Sequence, residues 1–279
     1  MVNIGKRNKL AVSRLVDFGA YLDGGEGKEI LMPKRYIESP LSPGDMVDVI
    51  VYTDSEDRLV ATTEVPMAYA GEFAFLDVVA VTKIGAFLDW GLAKDLLVPY
   101  SEQKSRMAVG GRYLVYVYVD NASGRVVASA RIEKHVGNVI PDYARGQKVS
   151  ALVFDRNDAG YRCIVDNLHF GILYSDEVYS PLKKGDRVEA YVKQIRPDGK
   201  IDLMLGARAD VRTATLATRI EGALRNAGGS LAVSDKSTPE EIKAAFQCSK
   251  KDFKKAVGHL LKEGKITLSA DKTALFAVK

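Results

Sequence analysis

The stretch Val81 to Pro99, VTKIGAFLDWGLAKDLLVP, decides how the rest of this chain is interpreted. It passes through Gly-Ala-Phe-Leu-Asp, turns at Gly91 and closes on Leu-Leu-Val-Pro. An earlier stretch, Arg14 to Pro33, repeats the pattern as RLVDFGAYLDGGEGKEILMP. A supersecondary unit that occurs more than once predicts a repeat architecture, so the repeat is the basis for predicting the fold.

The composition is that of a protein built from a few small domains. The chain has 279 residues, of which 47% are hydrophobic and 8% aromatic. This length favours several small cores over a single large core. The sequence has no apolar run long enough to span a bilayer, and its N-terminus lacks the apolar segment of a secretory signal. We therefore expect a cytoplasmic protein.

Cysteine and histidine residues are too scattered to indicate a metal site or a disulfide framework. Cys163 and Cys248 are the two cysteines and lie far apart, and the three histidines show no ligand spacing. Structural metal sites need clustered ligands, and disulfide frameworks need several cysteines. We expect no metal, no other cofactor and no small-molecule substrate.

The net positive charge is concentrated in the C-terminal segment of the chain. Residues 1–64 hold 8 Lys and Arg against 11 Asp and Glu, and residues 65–138 hold 8 against 7. Residues 139–210 are balanced at 11 against 11, whereas residues 211–279 hold 13 against 7. A basic C-terminal segment indicates contact with a polyanion.

Three successive segments each predict five short strands in the same order. In the first segment, from Leu10 to Glu64, the strands are LAVSRLVDF, GAYLD, EILMP, MVDVIVYTD and RLVATTE. The second segment runs from Glu72 to Ile132. The third runs from Gly146 to Gly206 and is an altered copy, in which Tyr161-Arg162-Cys163 stands for Gly-Ala-aromatic. Five short strands with glycine and proline turns are typical of a small closed barrel.

The fourth strand of the second copy has an aromatic face. Alternation places Leu114, Tyr116 and Tyr118 on one side of it. Aromatic residues are common in strands, so packing against a neighbouring domain and stacking on nucleic acid both remain open for these tyrosines.

The pattern changes to helical after residue 210. Leu216, Ile220 and Leu224 share one helix face. A second helix is predicted to begin at Thr238, which with Glu241 forms a capping box, and a third to begin after Ser249. A hairpin follows from Lys265 to Val278. Three helices and a hairpin predict an α+β winged-helix domain.

Together these features resemble a known family. The order of Phe-Gly-Ala-aromatic, a closing strand, Gly-Asp-x-Val and a final Arg-led strand resembles the RNA-binding repeat of ribosomal protein S-one, an OB-fold barrel. Three such repeats before a basic winged helix resemble the conserved virulence factor B family, bacterial RNA-binding proteins implicated in post-transcriptional regulation. The resemblance implies domains at residues 1–66, 67–138, 139–210 and 211–279, and a mainly β, multidomain fold.

The resemblance also implies binding residues on one face of each barrel. In the family these are two aromatic residues, a His on the next strand, and an Asp and Arg around the last turn. The first copy offers Phe18, Tyr21, Asp54 and Arg58, with Met32 at the His position. The second offers Phe87, Asp120 and Arg125, with Ile84 and Val98 at the first aromatic and His positions. In the third, Cys163 takes the aromatic position, Tyr174 the His position and Lys200 that of Arg.

Basic residues complete the predicted interface. The third copy gathers Lys183, Lys184, Arg187, Lys193, Arg196 and Lys200, and the last helix presents Lys250, Lys251, Lys254 and Lys255. Cationic side chains along a groove attract the phosphates of nucleic acid. A basic third helix could instead enter the major groove of duplex DNA, make an auxiliary contact with RNA or with another protein, or simply be a soluble surface.

We expect a protein without enzymatic activity that holds single-stranded RNA. No Walker, HExxH or Ser/His/Asp pattern appears in the sequence. Two alternatives stay open: a DNA-binding transcription regulator that reads duplex through the winged helix, and a scaffold that contacts other proteins.

Overall fold

The computed structural model describes residues 2–175, 178, 181–205, 209–271 and 273–278. The chain divides into two compact units, Met1–Val136 and Gly137–Lys279. Three closed five-stranded barrels occur in tandem, followed by a helical domain with a three-stranded sheet. The predicted fold class is confirmed. The predicted domain limits at residues 66, 138 and 210 stay predictions, because the chain divides into two compact units and not into four domains.

The first barrel closes because its fourth strand pairs with both its first and its fifth strand. The strand order around the barrel is β1-β2-β3-β5-β4. Its strands are β1 (Arg7–Val16), β2 (Gly19–Asp23), β3 (Glu29–Pro33), β4 (Met46–Thr53) and β5 (Leu59–Thr62). Strand β4 is buried on both faces near its end. Val49 and Val51 pack inside the barrel, whereas Ile50 and Tyr52 pack in the core cluster of the second barrel.

The second and third barrels repeat this order of strands. The second consists of β6 (Phe73–Val81), β7 (Gly85–Asp89), β8 (Leu96–Pro99), β9 (Arg112–Val119) and β10 (Val126–Ser129). The third consists of β11 (Lys148–Arg156), β12 (Gly160–Val165), β13 (His169–Tyr174), β14 (Arg187–Ile195) and β15 (Ile201–Met204). The first strand of every barrel shifts register at the same place, between Val12 and Arg14, Val78 and Ala80, and Val153 and Asp155. Such bulges bend a strand and help a small sheet to close.

A glycine begins the second strand of each barrel for a steric reason. A Cβ atom on Gly19, Gly85 or Gly160 would lie 2.2, 2.2 or 2.1 Å from a carbonyl oxygen of the third strand. Any side chain there would push the two strands apart. This close approach sets the pairing of the second and third strands, and hence which side chains face outward.

The last domain has the predicted helices and hairpin. Its elements are α1 (Ala209–Asn226), β16 (Ser230–Leu231), α2 (Pro239–Phe246), α3 (Lys250–Lys262), β17 (Ile266–Leu268) and β18 (Leu275–Ala277). Thr238 and Glu241 form the predicted capping box, and Ser249 caps α3 by accepting a hydrogen bond from the Asp252 amide. The sequence did not indicate β16, which pairs with β18. The core is apolar, with Phe246 and Phe253 in ring contact.

Replacing Gly85 by alanine tests the steric constraint. We expect Gly85→Ala to lower the free energy of unfolding of the first unit by about 3 kcal/mol, because overpacking at a site without room forces the backbone to move. Urea unfolding followed by the fluorescence of Trp90, the one tryptophan of the chain, measures it. Gly222→Ala is the control: a Cβ atom there meets nothing within 4 Å, so the Trp90 transition should not change. An unchanged midpoint for Gly85→Ala would contradict the constraint.

Candidate nucleic-acid interface

Each barrel carries a row of four side chains that point away from its core and cross four neighbouring strands. In the first barrel this outward row follows the register Tyr21, Leu31, Val60 and Tyr52. The corresponding rows are Phe87, Leu97, Val127 and Tyr118 in the second barrel, and Arg162, Ile172, Asp202 and Gln194 in the third. Because strands lie about 4.8 Å apart, each row is about 14 Å long. The second and third strands belong to the face through which OB-folds bind oligonucleotides.

The first position of the outward row holds a planar side chain in every barrel. It is Tyr21 in the first, Phe87 in the second and Arg162 in the third. Tyr21 and Phe87 are half-buried and Arg162 is exposed. Aromatic rings and guanidinium planes both stack on nucleobases. The three barrels therefore share this stacking position.

The expected equivalence of Cys163 with the aromatic position is wrong by one residue. Gly160 pairs with Tyr174 as Gly19 pairs with Pro33, so Arg162 and not Cys163 matches Tyr21. Cys163 points into the core, and burial raises the pKa of its thiol to about 12. The glycine at position 160 is the signal in the sequence that could have corrected the alignment.

The expected position of Tyr174 is wrong for the same reason. Leu173 pairs with Tyr161 as Met32 pairs with Ala20, so Leu173 is the equivalent of Met32. Tyr174 lies one residue further along, at the end of β13. Alternation along a strand reverses the face with each residue, and this shift turns Tyr174 outward.

The first barrel presents both predicted aromatic rings, but Arg14 and Arg58 beside them are already paired. Phe18 is 58% exposed and meets Tyr21 edge to face, with ring centroids 6.4 Å apart. The Arg14 guanidinium lies 4.0 Å from the centre of the Tyr21 ring and donates hydrogen bonds to Glu29. These hydrogen bonds lower the pKa of Glu29. Arg58 pairs with Asp54 at 2.7 Å and with Glu56 at 2.8 Å.

The last turn of the second barrel contacts the last turn of the first. Arg125, in the last turn of the second barrel, forms an ion pair with Asp57, in the last turn of the first. The hydrogen bond from Arg125 lowers the pKa of Asp57. Nearby, Lys94 Nζ donates to the carbonyl oxygens of Thr53 and Asp54, at 3.0 and 2.5 Å. Arg58 and Arg125, which the resemblance implied as binding residues, therefore already have carboxylate partners.

The third barrel replaces an apolar residue of the outward row by a buried carboxylate. Asp202 stands where the first two barrels have Val60 and Val127, and it is 3% exposed. Its oxygens accept hydrogen bonds from Arg196 Nε at 2.6 Å, Gln194 Nε2 at 2.7 Å and Tyr174 Oη at 3.1 Å. Arg196 Nη2 also donates to Tyr174 Oη. The structure thus brings Tyr174 and Arg196 together around a residue that the sequence analysis missed.

The other predicted cations of the third barrel lie at its surface. Lys184 pairs with Asp155 at 2.9 Å and Lys200 with Asp198 at 2.8 Å, while Lys183 is exposed. Arg162 also approaches Asp155, at 3.3 Å, and its guanidinium lies 4.8 Å from the centre of the Phe154 ring. Surface ion pairs of this kind are weak, so a phosphate can compete for these cations.

Helix α3 turns its lysines to solvent, as predicted. Lys251, Lys254 and Lys255 are exposed and Lys250 is half-buried. The opposite side of the helix is buried in the core of the domain. The basic face of α3 is therefore accessible to a polyanion.

Family comparisons agree with this architecture. The S1 domain family matches residues 4–64 and 70–131, and the CvfB-like winged helix domain family matches residues 218–275. The uncharacterized protein YitL of Bacillus subtilis strain 168 is 30% identical over 272 residues, which are 94% of this chain and 90% of that protein. The chain belongs to the conserved virulence factor B family.

Two further similarities extend the comparison. Conserved virulence factor B of Staphylococcus saprophyticus is 26% identical over 263 residues, covering 91% of this chain and 88% of the relative. A crystal structure of a multidomain protein with nucleic acid binding domains from Streptococcus pneumoniae TIGR4 matches 99% of this chain and 98% of that one, at 24% identity and a TM-score of 0.41. S1 and winged-helix domains are nucleic-acid-binding types and not enzymatic ones.

Two other kinds of site are absent from the described residues. Among the described residues, no group of three or more His, Cys, Asp and Glu side chains is placed to hold a metal ion. In the same part of the chain, none of the helices is both long and apolar enough to cross a membrane.

The ion pair between Arg125 and Asp57 can be tested by its effect on stability. We expect Arg125→Ala and Asp57→Ala each to lower the Trp90 unfolding midpoint slightly, and the double variant to lose less than the two losses combined, because either change already breaks the pair. Arg112 and Asp77 provide the control pair, because they lie 4.0 Å apart and are exposed. Purely additive losses for Arg125 and Asp57 would show that the pair does not join the two barrels.

Proposed function

We propose that this member of the conserved virulence factor B family is an RNA-binding regulator that holds single-stranded RNA on its barrels with help from the winged helix. The observation that supports it is the planar side chain at the same outward position in each barrel: Tyr21, Phe87 and Arg162. A regulatory role follows from the family resemblance and is part of the proposal.

Planar side chains on an open barrel surface favour single strands over duplexes. The bases of a duplex are stacked on each other, so their faces are closed to protein rings. The bases of a single strand can leave the stack and lie on an aromatic ring or a guanidinium plane. Stacking depends little on base identity, so we propose binding with weak sequence preference.

The charge distribution supports a larger phosphate contribution from the C-terminal half. In the first two barrels, Arg58 and Arg125 are held by carboxylates of their own unit. Lys251, Lys254 and Lys255 on α3 are exposed, and residues 211–279 carry 13 Lys and Arg against 7 Asp and Glu. Binding that depends on such cations weakens steeply as salt is added.

The exposed lysines of α3 also favour a second candidate function. In helix-turn-helix proteins a basic recognition helix enters the major groove of DNA. A protein of that kind would bind duplex DNA more tightly than a single strand, and the binding would depend on Lys254 and Lys255. A protein scaffold is the third candidate, and it requires no affinity for any nucleic acid.

Substitution of the planar residues tests the RNA proposal. We expect Phe87→Leu and Arg162→Leu each to weaken binding of a labelled single-stranded RNA about tenfold, because stacking contributes about 1–3 kcal/mol per base. Fluorescence anisotropy of the full-length protein measures the affinity. Phe75→Leu is the matched control. Phe75 is a half-buried ring of the same barrel, on strand β6. It lies five residues from Ala80, which is the residue of β6 that pairs with Phe87.

A parallel titration separates the three candidates. Single-stranded RNA, single-stranded DNA and duplex DNA of equal length are compared at low and high salt. Tighter binding of duplex DNA that is lost in Lys254→Ala and Lys255→Ala would replace the RNA proposal with DNA reading. Failure to bind any of the three at low salt would reject both nucleic-acid functions.

A further inference from the structure

Two tyrosines of the second barrel form a shelf that is covered by a histidine from the following segment. We call Tyr116 and Tyr118 on β9 the tyrosine shelf. Their rings are nearly parallel, at 15°, with centroids 6.3 Å apart. The His135 imidazole is stacked on Tyr116 at 4.2 Å and 19°, and it lies 5.5 Å from Tyr118. Phe73 is fully buried and meets Tyr116 at 4.8 Å.

The shelf continues the outward row of the second barrel. Tyr118 pairs with Val127, which pairs with Leu97, which in turn pairs with Phe87. A strand of nucleotides that begins on Phe87 would meet the tyrosine shelf about 14 Å further along, given the spacing of neighbouring strands. Phe87, at one end of the row, is half-buried, while the other end is occupied by His135.

In the first barrel, a buried ring covers the equivalent position. Its equivalent of Tyr118 is Tyr52, which is 4% exposed and meets the Trp90 ring edge to face at 6.3 Å. Trp90 is 2% exposed, and its Nε1 donates a hydrogen bond to the Lys94 carbonyl at 2.6 Å. The ring that covers Tyr52 is therefore buried and fully hydrogen-bonded.

The ring that covers the tyrosine shelf is held less well. Among the described residues, His135 Nε2 is buried and finds no hydrogen-bond partner, which is unfavourable for a polar atom. Both tyrosines and the histidine are only half-buried. Burial lowers the pKa of His135, against the attraction of Glu102 and with the repulsion of Lys134, so a neutral imidazole is favoured on the shelf.

The segment that carries His135 is anchored independently of the imidazole. Val136 is 4% exposed, and Lys134 Nζ pairs with Glu102 at 2.8 Å. A rotation about the His135 side-chain bonds can therefore uncover the shelf without moving the backbone. Such rotamer changes are fast at partly exposed positions.

We propose that the tyrosine shelf is a second base-stacking site of this barrel, and that a nucleobase of single-stranded RNA displaces His135 from it. The imidazole is a planar ring of the protein that occupies the place of a base. His135 then competes with RNA, and its removal strengthens binding. This inference rests on the proposed RNA-binding function.

Two substitutions at His135 test the competition, because one opens the tyrosine shelf and the other keeps it covered by a ring. We expect His135→Ala to tighten binding of a labelled single-stranded RNA of about 20 nucleotides at least threefold, because stacking on aromatic rings is then open to the base. His135→Phe keeps a ring on the shelf and removes the unpartnered nitrogen, so it should not tighten binding. Tyr118→Leu should weaken binding about tenfold, for the same stacking reason. Thermal unfolding of each variant checks that the barrel remains folded.

A second measurement follows His135 itself in the unsubstituted protein. The rings of Tyr116 and Tyr118 should shift the imidazole proton resonances of His135 upfield, and the resonances are identified by their loss in His135→Phe. Addition of RNA should move them towards the values of an exposed histidine. Unmoved resonances under saturating RNA, or equal affinities for the wild-type protein and His135→Ala, would overturn the inference while leaving RNA binding intact. Absence of RNA binding by the wild-type protein would reject the proposed function itself.

Discussion

In every barrel the second strand begins with a glycine whose Cα lies so close to the third strand that a Cβ atom would approach a carbonyl oxygen to 2.2 Å or less. This contact sets the register of the two strands. Since alternate residues of a strand face opposite sides, the register decides which side chains line the core and which form the outward row. The positions of Tyr21, Phe87 and Arg162 follow from it.

The same outward row has a different neighbour in each barrel. In the first, Tyr52 and Val60 are buried in the cluster that contains Trp90. In the second, Tyr118 lies under His135. In the third, Asp202 replaces the apolar residue and binds Arg196, Gln194 and Tyr174. Tandem copies of one fold thus differ on this face, while they share the same strand order.

The ion pairs separate residues of similar appearance in the sequence. Arg58 and Arg125 come directly before the last strand of their barrels. In the third barrel, Lys200 takes the equivalent position. Arg58 pairs within its own turn, whereas Arg125 pairs with Asp57, 68 residues earlier in the chain. Because exposed pairs contribute little energy, their main effect is to set where a side chain points and how readily a phosphate can reach it.

The sequence by itself determined the repeat, the barrels, the winged helix and the helix caps. These depend on local patterns: alternation of apolar residues, turn-forming glycines, and the capping box of Thr238 and Glu241. Only the tertiary structure decided that Arg162 rather than Cys163 takes the stacking position, that Asp57 holds Arg125 and that His135 covers the tyrosine shelf. Each of these depends on strand register or on a partner distant in the chain, and a local pattern carries no information about either.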